Sequence, residues 1–126
     1  MSTEPGATSA GGAPPLTPQN IILLFRVAIR EARTASQTAE DAMNALLKVE
    51  DPFREAAALG QQVSILKTSQ KKAERMSIQA IALISALRDA EMQQTTVTRE
   101  TLKGADEILK LASQDPSMTN LLGGGA

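Results

Sequence analysis

The sequence predicts an all-α protein: an antiparallel helical hairpin, coiled-coil-like with an alanine-rich seam, then a short third helix, all behind a disordered N-terminal tail. Three observations predict it. Small and apolar residues recur in steps of four and three from Ile21 to Val49. Thr17-Pro18 and Asp51-Pro52 each place a capping side chain before a proline that suits the first helical position. No segment carries the β-branched alternation of a strand.

Residues 1–16 form the expected tail. The first twenty residues hold four Pro, three Gly and a single charge, Glu4. Such a stretch has too little apolar surface to offset the entropy of ordering it. It lacks the basic start of a secretory signal. The ordered region is expected over 17–114, with helices near 18–50, 52–93 and 98–114. Residues 115–126 are expected to be a flexible end: Asp115-Pro116 stops a helix, Gly123–Gly125 follows, and Leu121-Leu122 is an isolated apolar pair.

The first helix carries its packing seam on Ile21, Phe25, Ala28, Ala32, Ala35, Ala39, Ala42, Leu46 and Val49. Alanine buries about one methyl, but it lets two helix backbones approach closely. The larger residues at both ends supply more of the burial energy. Asp51-Pro52 then ends one helix and starts the next. The second seam is read on Phe53, Ala56, Leu59, Val63 and Leu66. A polar interval over 68–72 interrupts it, and it resumes at Ala73, Met76, Ala80, Leu83, Leu87 and Ala90. Between Met76 and Leu87 nine of twelve residues are apolar, so this stretch wants burial on more than one side. Met43, Met76 and Met92 are read as core gap-fillers. Thr98 is a plausible cap for the third helix, with Val97 and Leu102 at the spacing of a hydrophobic staple. Leu102, Ala105, Leu109 and Ala112 form its seam, with Ile108 beside them.

The tight junction at residue 51 makes the first two helices antiparallel. Ile21–Phe25 then lies opposite Ser77–Ile81, and the third helix can return to cover that apolar end. The competing expectation is an intermolecular interface there, built from Ile81, Leu83, Ile84, Leu87, Leu102 and Leu109. The same register gathers seven basic residues at one level: Arg26, Arg30, Arg33, Lys67, Lys71, Lys72 and Arg75. Only Glu31 and Glu74 offset them locally. A basic band between acidic ends suits staggered charge matching between copies, although a plainly solvated face has the same look.

The composition excludes several chemistries. There is no Cys or His, so neither a usual zinc site nor a Ser-His or Cys-His pair can be built. Adjacent acids in a helix point about 100° apart and do not converge on a metal. No glycine-rich loop has the context of a phosphate cradle. No catalytic residue, cofactor or metal is assigned, and the chain is not expected to be an enzyme. A formal charge of −1, with no Trp or Tyr and only two Phe, argues against nucleic acid. No apolar run approaches the ~20 residues of a membrane span. The compartment stays open between the cytosol and an exported assembly.

The expected function is therefore a structural or assembly subunit that packs against copies of itself or a helical partner, as in an exported rod, a needle or a phage-type assembly. The alternatives are a cytosolic coiled-coil adaptor in a hetero-complex and a helical module coating lipid or nucleic acid. The seam makes one direct prediction. Ala35→Leu overpacks the closest helix contact and lowers stability by about 1–3 kcal/mol in a thermal melt; an unchanged midpoint would remove Ala35 from the seam.

Overall fold

The computed structural model describes residues 16–116. The tail before Leu16 and the segment 117–126, including Leu121-Leu122, lie outside the described residues. Helix α1 runs Pro18–Leu47, α2 runs Ala56–Gln93 and α3 runs Asp106–Ser113, with a 3-10 turn at Arg99–Thr101. The chain is an all-α helical hairpin with a short third helix. Among the described residues the only ladder contact is a single antiparallel bridge between Leu16 and Val97.

The helix ends differ from the expected ones for local reasons. Thr17 caps α1 as expected, its Oγ1 accepting from the Asn20 N–H at 3.1 Å. At its other end α1 stops at Leu47 rather than residue 50, because Lys48 and Val49 donate to Ala45 and Leu46 in tighter i→i−3 bonds. Asp51 caps a separate turn rather than α2 itself. Its Oδ1 accepts from the Arg54 N–H at 3.2 Å, while Glu55 Oε2 accepts from the Asp51 N–H at 3.1 Å. The Glu55 N–H bonds back to the Asp51 carbonyl at 3.0 Å, and α2 proper follows from Ala56.

Gln94 ends α2 in the left-handed region, at φ 55°. Thr95 donates to the Ala90 carbonyl at 2.9 Å, the six-to-one bond of a Schellman ending. The expected single helix over 98–114 is two pieces. Thr101 Oγ1 accepts from the Thr98 N–H at 2.9 Å and closes the 3-10 turn. Gly104 then sits at φ 90° and redirects the chain. A β-carbon there would meet the Ala82 Cβ at 3.5 Å, so space is available and the backbone angle is what requires glycine.

The contacts divide the chain into two units, one reaching Val27 and resuming at Gln79, the other spanning Ala28–Ile78. In the first, Leu16, Ile21, Leu24 and Val27 are buried, as are Ala80, Leu83, Val97, Leu102, Ala105, Ile108, Leu109 and Ala112. This is a core of large aliphatic side chains drawn from three helices. Leu16, assigned to the tail by its sequence, belongs to this core, its N–H donating to the Val97 carbonyl at 2.7 Å. In the second unit the buried residues are Ala28, Ala32, Ala35, Ala39 and Ala42 from α1, with Ser69 and Met76 from α2.

One buried polar side chain ties α3 down. Gln79 is 8% exposed. Its Oε1 accepts from the Ile108 N–H at 2.8 Å, and its Nε2 donates to Glu107 Oε1 at 3.1 Å. The N-cap of α3 is Ala105, which has no side chain to cap with. Gln79 therefore supplies from α2 the acceptor that the cap lacks. An isolated helix of eight residues is far below the length at which helices hold by themselves. Removing this acceptor strands a buried N–H. Gln79→Ala is expected to cost about 1–3 kcal/mol by denaturant unfolding; a loss under about 0.5 kcal/mol would mean that packing alone places α3.

Candidate functional site

The seam residues of α1 occupy a single face. Ile21, Ala28, Ala32, Ala35, Ala39 and Ala42 are buried, and Phe25 and Leu46 are half-buried; Val49, also half-buried, lies past the end of the helix. On α2 one line of buried and half-buried positions runs through Leu59, Gln62, Leu66, Ser69, Ala73, Met76, Ala80, Leu83, Leu87 and Ala90, with Lys72, Gln79, Ala82, Ser85 and Ala86 also covered beside it. The positions of the line alternate strictly by three and four. This differs from the apolar reading at Phe53 and Ala56, which are exposed, and at Val63, which is 50% exposed. The true line passes through Gln62 and Ser69, so the polar interval over 68–72 does not interrupt it. Following apolar residues alone moves the line one position off the axis at Val63. Met76 is buried as a gap-filler would be, but Met43 and Met92 are exposed.

The expected intermolecular set divides in two. Leu83, Leu102 and Leu109 are buried within the chain's own core, and Leu87 is half-buried. These are not available to a partner. Ile81 and Ile84 remain exposed, at 65% and 37%, and Ile78 on the same side is 57% exposed. Sequence reasoning missed Ile78 because the whole stretch is apolar; only the position of α3 separates its covered side from its open one.

That division follows the helix wheel. The residues at three–four spacing from Met76 to Ala90 face α1. Gln79 bonds to α3 and Ala82 lies beside Gly104, which marks the side taken by the third segment. Ile78, Ile81 and Ile84 point to the remaining side.

Of the basic band, Arg26, Arg30, Arg33, Lys67, Lys71 and Arg75 are exposed. Lys72 is half-buried and its Nζ lies 3.2 Å from Glu31 Oε1. The ion pair removes one member from the open charge of the band, and at its exposure it contributes about 1 kcal/mol or less.

An apolar cleft of about 430 Å³ is lined by Leu16, Pro18, Leu87, Ala90 and Val97, with Glu91 as its titratable residue. A single carboxylate offers no acid–base pair. Among the described residues no group of three metal-ligating side chains converges, and no helix is long and apolar enough to cross a membrane. No family model, curated protein or solved structure matches the chain.

Buried and open leucines and isoleucines on adjacent positions of one helix invite a paired test. Leu83→Ala is expected to cost about 2–5 kcal/mol. Ile81→Ala, in dilute solution where the chain stands alone, is expected to stay within about 0.5 kcal/mol of wild type. Equal losses in the two melts would contradict the assignment of faces.

Proposed function

We propose that this chain is a non-enzymatic helical subunit that works by packing against another helical surface, in the first place a copy of itself. The observation that carries the reading is the open isoleucine face of α2 beside two faces already covered by α1 and the α3 segment. Exposed single hydrophobes are ordinary, but three branched aliphatics on successive turns of one helix face are what a fourth helix would cover. The described residues offer helix faces rather than a cleft with converging polar groups, which favours assembly over small-molecule chemistry. A small subunit of an exported rod, needle or virion-type assembly is one setting for such a chain. A cytosolic adaptor role would use the same face on a different protein.

The test is absolute mass by light scattering on the full chain over a wide concentration range. A discrete oligomer or a growing filament is expected. A monomer at every concentration would contradict self-association and turn the search to a different partner. The basic band adds a second readout. Arg30→Glu combined with Lys71→Glu is expected to preserve helicity and to weaken assembly, most at low salt. Unchanged assembly would leave the band a solvated face.

A further inference from the structure

The junction between α1 and α2 lies wholly within the unit spanning Ala28–Ile78. Residues 48–55 make the connection. At its edge Leu47 is 82% exposed, and inside it Phe53 is 95% exposed. These are the two most exposed large hydrophobic side chains among the described residues. Little holds the junction closed. Its hydrogen bonds stay on one side of Glu50 or the other. Lys48 and Val49 donate back to Ala45 and Leu46 at 3.3 and 3.5 Å, and the turn over 51–55 closes on itself before α2. Pro52 biases Asp51 toward extended backbone. Rotation over 48–51 therefore changes the angle between the helices and breaks only long bonds.

We propose that this junction is the hinge of an arm exchange between two copies of the chain. With the hinge straightened, α1 of each copy lies on α2 of the other. Every contact between the two helices of the closed hairpin is made again, so exchange requires no new complementary face. The balance between the closed and exchanged forms then rests on the hinge. There the exchanged form gains. The two hinges cross at the two-fold axis, where Leu47 and Phe53 of each copy meet and leave the water. The hinge is also short, with Lys48, Val49 and Glu50 alone between two hydrogen-bonded segments, and short hinges invite exchange. A second copy is the occupant that fits, because the exposed pair sits at the point where two exchanged chains must cross. Exchange takes two chains, so dilution favours the closed form and concentration the exchanged one.

The proposal rests on the self-association reading above, and its test separates the two. Glu31 on α1 and Lys72 on α2 pair across the arms, Oε1 to Nζ at 3.2 Å. The chain has no Cys, so Glu31→Cys with Lys72→Cys introduces the only two thiols. A short bis-maleimide, applied to the associated fraction, is expected to join two chains and give a band of twice the chain mass on a denaturing gel. Either single variant is expected to give none, because like sites in the exchanged pair stand about 50 Å apart. Links confined to one chain, while the wild-type chain associates by light scattering, would overturn the exchange and leave self-association standing. A wild-type chain that is monomeric throughout overturns both. Leu47→Ser with Phe53→Ser gives an independent readout. Both side chains are exposed in the closed form, so its melt is expected to stay where it is. The dissociation constant of the exchanged pair is expected to rise about tenfold or more. An unchanged constant would remove the hinge contact and overturn the proposal. Circular dichroism verifies that each variant is folded.

Discussion

The arrangement depends on Gln79. It is a polar side chain in an apolar stretch of α2, buried, and bonded through both ends of its amide to the start of α3. An eight-residue helix with alanine at its cap has little reason to form alone. Once Gln79 supplies the missing acceptor, α3 can bury Ile108, Leu109 and Ala112. The core containing Ile21, Leu24 and Leu83 is then closed on that side. Without the clamp the same aliphatic side chains would lie open, and α2 would have two uncovered faces rather than one.

The two units are built on different economies of burial. One has large aliphatics contributed by three helices, with several side chains at 0–1% exposure. The other has alanines, a serine and one methionine. Each buried methyl is worth about 0.8 kcal/mol, so the alanine unit gains little per residue and relies on close backbone approach and dispersion. Chains with so thin a core are commonly supplemented from outside, by a partner or by further copies. This physical shortfall, together with the exposed isoleucines of α2, is what the proposed assembly role rests on.

Much of the fold was legible in the sequence because it depends on spacing. The alternation from Ile21 to Val49 is unbroken, and the buried face of α1 follows it. Thr17-Pro18 marks the start of α1 directly. What could not be read depends on tertiary position. Gln62 and Ser69 lie on the α2 line, and Val63 lies off it, because geometry rather than apolarity sets the line. The break at Gly104 comes from a backbone angle, and a glycine inside a helical pattern does not announce one. Leu83 and Ile81 are two positions apart and chemically similar, yet one is interior and the other is open. Leu83 falls on the three–four line and Ile81 off it; what spacing does not give is the side taken by α3, and that placement rests on a glutamine that composition gave no cause to single out.

The most direct measurement of this account is the hydrogen exchange rate of the Ile108 amide in the native chain. Its position in the first turn of α3 leaves it without an acceptor inside its own helix. Bonded to buried Gln79, it should exchange only through the opening that also exposes the Leu83 amide, with a comparable protection factor. Exchange as fast as an uncapped helix start, while Leu83 stays protected, would contradict the clamp and the division of covered and open faces that depends on it.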